Sequence, residues 1–280
     1  MDTAIFSLPK IDCHCHLFDP AAFPYARGVF HEPAGGEIAT ASYFREVMQA
    51  YGVHHALLVG PNSGYGTDNR CMLDAIRHGD GRFKGIAVVE NDASTAQLQD
   101  LRAQGVVGVA FNMALLGVAH YAHADALWRR IAALGMCVQV QVQGDQMAEL
   151  APRLRDCGAQ IVVDHHGRPE LARGLESAGF QALLGLADSG RCVVKLSGYD
   201  KFSQQALPCA DALPFTRMLL QTFGADHCIW GSDWPHVRAT RRLDYGALLG
   251  VFVRSVPSVD DRRRIMFETP ARLFGFGAET

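Results

Sequence analysis

The sequence predicts an α/β protein, a (β/α)8 TIM barrel filling one domain over residues 1–280. Three observations carry this. Eight apolar runs of strand length recur, at 10–16, 55–60, 83–89, 106–113, 136–143, 160–165, 192–198 and 228–233. Helix-like stretches separate or follow them, at 41–51, 69–78, 93–104, 122–134, 146–157, 169–178, 212–223 and 260–274. Regular alternation of this kind implies parallel strands joined by right-handed crossovers. Eight such units in 280 residues close most economically into a barrel. An open doubly wound sheet is the alternative, but no Gly-x-Gly-x-x-Gly follows the first run. The longest irregular stretch, 18–40, comes after strand 1, where such a barrel carries active-site loops.

Composition excludes several function classes. With 49% apolar residues and a net charge of −3, the chain is not disordered. No uninterrupted apolar run approaches the roughly 18 residues of a membrane span. The opening MDTAIFSLPK has neither a basic n-region nor an apolar h-region, so no secretory signal and a cytoplasmic location are expected. No basic cluster exceeds Arg262-Arg263-Arg264, which argues against a nucleic-acid partner. No exposed stripe marks an oligomer face. The eight cysteines form no Cys-x-x-Cys pair and read as reduced thiols. Cys13 and Cys15 interleave with His14 and His16; strand alternation is expected to send the cysteines to one face as packing residues and the histidines to the other.

Barrel strands are buried on both faces, so polar residues at their C-terminal ends are informative. Strand 1 ends in Asp12-Cys13-His14-Cys15-His16, strand 6 in Asp164-His165-His166-Gly167-Arg168, and strand 8 in Gly231-Ser232-Asp233-Trp234-Pro235-His236. A single buried histidine is commonly a hydrogen-bonded core residue. Several at one rim, with Asp233 on the strand that neighbours strand 1 after closure, mark a candidate catalytic cluster. In strand 5, Val138-Gln139-Val140-Gln141-Val142-Gln143 alternates, placing valines under the helices and glutamines inward, with Gln141 or Gln143 reaching the pocket; an edge strand with one wet face is the other reading. Strand 4 offers Ala110 and Asn112 on one face, and strand 7 offers Lys195, Ser197 and Tyr199, Lys195 as a paired interior lysine.

His14-x-His16, Asp164-His165, Gly231-Ser232-Asp233-Trp234-Pro235 and the closing Glu268-Thr269-Pro270-Ala271-Arg272-Leu273-Phe274 resemble the amidohydrolase superfamily. The run from Lys10 to His16, Phe23-Pro24-Tyr25-Ala26 and Gly66-Thr67-Asp68-Asn69 resemble its 2-pyrone-4,6-dicarboxylate lactonase branch, which includes sugar lactonases and a lactone isomerase. The resemblance implies a hydrolase acting on ester bonds, opening a lactone without a metal. It places the base on Asp233, the rim histidines on His14, His16 and His165, and substrate contacts on Ser63 and Arg238. It also implies departures: Ala110 and Leu116 stand where relatives carry carboxylate-clamping arginines, Gln141 where they carry a strand 5 tyrosine, and His31 where they carry a first-loop tyrosine. Losing two guanidinium forks predicts a substrate less acidic than the pyrone dicarboxylate, held by Ser63, Asn112, Gln141 and Arg238.

Zinc, if present, would be held by His14, His16, His165 and Asp233. Strands 4 and 5 offer Ala110, Asn112 and glutamines, poor ligands for zinc, so no cofactor is expected. In the mechanism expected, Asp233 activates water while the three histidines donate hydrogen bonds to the lactone carbonyl. The alternatives are a zinc-dependent amidohydrolase or decarboxylase of the same superfamily, a lactone isomerase, and a non-catalytic binding barrel.

Overall fold

The computed structural model describes residues 3–277; the ends of the expected 1–280 domain, with the first two residues of the opening segment, lie outside them. Eight parallel strands form one sheet in chain order. They are β1 (Lys10–Cys15), β2 (Val53–Val59), β3 (Phe83–Ala87), β4 (Val106–Asn112), β5 (Cys137–Gln141), β6 (Gln160–Val163), β7 (Cys192–Lys195) and β8 (Cys228–Ile229). Backbone hydrogen bonds from Cys13 N to Trp230 O, from His16 N to Trp234 O and from Asp233 N to His14 O join the eighth strand region to the first. The expected barrel is the fold.

Apolar side chains divide into two layers. Leu58, Val109, Val138, Val140 and Val194 pack outward with Met48, Met72, Leu98, Leu127, Leu150 and Leu219 from the surrounding helices. Ile11, Leu57, Ile86, Val162, Val193 and Ile229 pack inside with Phe267, Phe274 and Phe276. The closing segment therefore places its three phenylalanines against the barrel's interior residues. It runs as a helix from Val259 to Phe274 with a π-helical turn at Arg264–Glu268 just ahead of Pro270, where a residue without an amide proton disturbs regular pairing. The strand 5 alternation also holds, since Val138, Val140 and Val142 join the outer layer.

Three expectations need correction. Residues 169–178 are not a helix; they hold a short 3-10 turn at Leu171–Arg173, and the helix is Ala178–Leu184. His165, His166, Gly167 and Arg168, just ahead of the stretch, and Gly174 within it have positive φ, so no right-handed helix runs across 165–174. Before the closing helix stands Tyr245–Ser255, a helix the periodicity does not reveal because most of its residues are buried. Finally, Cys13 and Cys15 do not share a face: Cys13 joins the interior cluster and Cys15 the outer one. The register between β1 and β2 breaks between Asp12 and Cys15, which suspends strict alternation and lets Cys13 and His14 both turn inward. All eight cysteines are buried and unpaired.

Candidate active site

Functional side chains emerge where the strands stop. His16 lies one residue past β1, His165 two past β6 and Asp233 four past β8. His165 and Asp233 have φ of 51° and 60°, a left-handed conformation that ends a strand and costs energy in a non-glycine residue. Two glycines make room for this. A Cβ on Gly198 would lie 2.3 Å from His165 Nδ1, and one on Gly231 would lie 2.6 Å from His14 Cβ. Asp12 ties the two chain ends of the site together, accepting from Ser232 N at 2.9 Å, Ser232 Oγ at 2.6 Å, Tyr245 OH at 2.9 Å and His14 N at 3.1 Å.

The four residues singled out in the sequence do meet. Asp233 Oδ1 lies 3.5 Å from His14 Nε2, 3.4 Å from His16 Nε2 and 3.9 Å from His165 Nε2. His16 Nδ1 is 2.8 Å from Val59 O; a carbonyl only accepts, so Nδ1 donates to it and Nε2 is the nitrogen that faces Asp233. His165 Nδ1 faces the Ser197 hydroxyl at 3.0 Å. His14 Nδ1 lies 3.2 Å from both Asp164 Oδ1, which can accept, and Lys195 Nζ, which can donate.

Beneath the histidines is a closed polar network. Lys195, fully buried, reaches Asp164 Oδ1 at 3.0 Å and Gln139 Oε1 at 2.7 Å, while Gln139 Nε2 donates to Asp164 Oδ2 at 2.9 Å. Lys195 is the paired interior lysine expected. Ser197 serves His165, whereas Tyr199 packs away from the cleft beside Cys209 and Val251. His166 is structural, held between Ser197 O and Thr216 Oγ1, and burial lowers its pKa to about 3.

Burial alone would raise the Asp233 carboxyl, but the Lys201 ammonium, followed by the imidazoles, holds it well below the usual carboxylate range. Lys201 Nζ is 3.2 Å from Asp233 Oδ2 and 3.4 Å from Asp200 Oδ2. Burial pushes His165 well below the ordinary imidazole value, and burial with Lys195 lowers His14, so both rings are neutral near pH 7.

A cleft of about 440 Å³ opens above this centre. Ser63, Asn112, Gln141 and Arg238 all line it, as do Ala110 and Gln143. Leu116 is 43% exposed and outside the lining, which takes Leu115 instead. His31 turns to Glu37, at 2.7 Å, and is not a lining residue. Sequence reasoning missed Lys201, Asp200 and Asn62, which also line the cleft, as does Arg168 from the end of strand 6. Lys201 had one usable signal: a lysine in the turn directly after strand 7, at the same rim as the histidines.

His14, His16 and Asp233 offer ligand atoms close enough to share one cation. Their 3.4 and 3.5 Å spacings match the roughly 3.4 Å between ligands that 2.0–2.1 Å bonds give in a tetrahedral zinc site. The His16–Val59 hydrogen bond fixes the tautomer such a ligand needs. A second group, His14, Asp164 and His165, does not fit a further ion, because Lys195 and Gln139 already occupy both Asp164 oxygens. Metal analysis after loading with excess zinc and desalting is therefore expected to find no more than one ion per chain; two would contradict this assignment.

A parallel eight-stranded barrel with a histidine–aspartate centre at the C-terminal ends of its strands defines a barrel enzyme of the hydrolytic kind. Residues 11–276 match the model of the Amidohydrolase family, and the chain belongs to that family. It is 32% identical to the 4-sulfomuconolactone hydrolase of Rhizobium radiobacter, over 96% of this chain and 92% of that one. It is 29% identical, with the same coverages, to the 2-pyrone-4,6-dicarboxylate hydrolase of Comamonas testosteroni. The solved structure of a probable 2-pyrone-4,6-dicarboxylic acid hydrolase of Acinetobacter baumannii, bound to citric acid, superimposes with a TM-score of 0.84 at 28% identity, covering 95% of this chain and 99% of that one. Among the described residues no helix is long and apolar enough to cross a membrane.

Proposed function

We propose that this chain, acting as a single amidohydrolase-like barrel domain, is a hydrolase that opens a lactone ring. The observation that carries the reading is the convergence of three imidazole Nε2 atoms on one carboxylate oxygen at the floor of the cleft. Asp233 accepts a proton from a water whose oxygen attacks the lactone carbonyl carbon. The carbonyl π electrons move to oxygen; as the tetrahedral adduct collapses, the ring C–O bond breaks and the leaving alkoxide takes the proton from Asp233. The product is an open hydroxy acid.

The histidines surround the reacting carbonyl and the water. His165 and His14 each have an Nδ1 partner able to donate, Ser197 Oγ and Lys195 Nζ, which leaves an Nε2–H for the developing oxyanion. His16 is held by its bond to Val59 O with Nε2 toward Asp233, where it orients the water. A divalent ion held by His14, His16 and Asp233 would add Lewis-acid polarisation of the carbonyl. The chain's own groups supply each role without it, so turnover is expected to survive exhaustive chelation; loss of activity restored by one equivalent of zinc would refute this.

Substrate class follows from charge. Among the lining residues, Lys201 is spent on Asp200 and Asp233, and Asp164 is spent on Lys195 beneath the floor, so Arg168 and Arg238 are the lining cations left for a substrate. Lactones with at most one carboxylate and with hydroxyls for Asn62, Asn112 and Gln141 are the class we favour over a planar dicarboxylate, because Ala110 and Leu115 add no cation to the cleft. A lactone panel read by product NMR tests both points: hydroxy acids are expected, with kcat/KM for the pyrone dicarboxylate at least about tenfold below the best substrate. Equal efficiency on the dicarboxylate would overturn the substrate class, and a rearranged lactone without net hydrolysis would overturn the reaction.

A further inference from the structure

We propose that Glu37, which does not line the cleft, is a positioning residue that latches the first rim loop to the eighth and sets the Arg238 guanidinium over the cleft mouth. Glu37 Oε1 accepts the Arg238 backbone N–H at 2.6 Å, and Oε2 pairs with His31 Nε2 at 2.7 Å. The His31 carbonyl in turn accepts the Gly64 amide at 2.8 Å, directly after Ser63. One carboxylate thereby links the loop that carries Ser63 to the loop that carries Arg238, the two candidate substrate contacts whose strands flank β1.

The surrounding geometry gives this link a purpose. Arg238 has a φ of 57°, a conformation an arginine does not hold unaided, and its amide is anchored by a short charge-assisted bond. Its guanidinium lies 5.4 Å from the centroid of the Phe30 ring. Phe30 is 48% exposed, although it is a large apolar residue, and it lines the cleft together with Arg238. The first loop is braced within itself, Tyr25 OH donating to Pro33 O at 2.7 Å, and against the second, where Ala26 N donates to Gly64 O at 2.8 Å and a Cβ on Gly64 would lie 2.7 Å from the Tyr25 ring. The eighth loop is bound to this braced pair through Glu37. His31 is committed to the latch and not to substrate, which accounts for its absence from the lining.

The kinetic part of the proposal rests on the lactone-hydrolase reading; the structural part does not. Glu37→Ala and Glu37→Gln are compared with wild type in the full chain. Amide hydrogen exchange in residues 234–241 is expected to accelerate at least about tenfold in Glu37→Ala, with β1 unchanged. Glu37→Gln retains an acceptor for the Arg238 amide and is expected to restore most of the protection. On a lactone substrate, KM should rise about tenfold in Glu37→Ala while kcat stays within about threefold, with Glu37→Gln in between. Unchanged exchange in Glu37→Ala overturns the latch. Faster exchange with an unmoved KM, or a kcat that falls as far as KM rises, overturns the positioning role. A wild type inert toward every lactone overturns the hydrolase reading, and the exchange rates still decide the latch.

Discussion

Asp233→Asn is expected to lower lactone turnover by at least about 100-fold while the barrel stays folded. The substitution suits the site unusually well. Asparagine is isosteric with aspartate and tolerates the left-handed φ of 60° that this position adopts, so the backbone turn after β8 survives. What disappears is the proton acceptor at the point where three Nε2 atoms converge. Initial rates with the best lactone, alongside thermal melting by circular dichroism, check it; a loss under about tenfold with an unchanged melt would remove Asp233 from the chemistry. The pH profile adds a second constraint. Lys201 and the imidazoles hold the Asp233 carboxyl well below the ordinary aspartate value near 3.9, so its basic form persists as pH falls toward that value. The acid limb due to Asp233 therefore lies below about pH 4, and a limb nearer 6 would belong to another group.

The floor of the candidate site was readable from the chain because polar residues interrupt runs that should be apolar. His14, His16, His165 and Asp233 stand out for that reason alone, and closure of eight strands forces them together. The groups that tune them were not readable in the same way. Lys201 sits in a short 3-10 turn, Tyr199–Lys201, where no apolar frame gives a direction to any side chain. Lys195 was visible as an interior lysine, but its partners Gln139 and Asp164 come from two other strands, and their meeting depends on register. Local backbone conformation defeated periodicity at 169–178: positive φ values at 165–168 precede the stretch and another falls inside it at Gly174. Burial of most of its residues hid Tyr245–Ser255, since periodicity finds a helix most readily when one side faces water.

Lys195→Met is expected to destabilise the protein by about 3–5 kcal/mol at neutral pH, the typical cost of leaving one partner of a buried ion pair alone. Methionine fills a similar volume, so the loss reports charge more than packing. Burial would raise the Asp164 carboxyl, and Lys195 is the leading influence holding it well below its ordinary value. In wild type the depressed folded pKa stabilises above the unfolded value near 3.9, and that contribution fades as pH falls through the folded pKa. Without the ammonium the sign reverses: burial raises the folded pKa, and the variant is penalised increasingly as pH rises through it. The stability gap between wild type and Lys195→Met, measured by urea unfolding, should therefore be widest at pH 7 and narrow toward pH 4.5. A gap independent of pH would mean that Asp164 is not the group left uncompensated. Adding Asp164→Asn to Lys195→Met should recover part of the loss, because the double variant buries no unpaired charge, whereas strictly additive losses would show that the two side chains do not act as a pair.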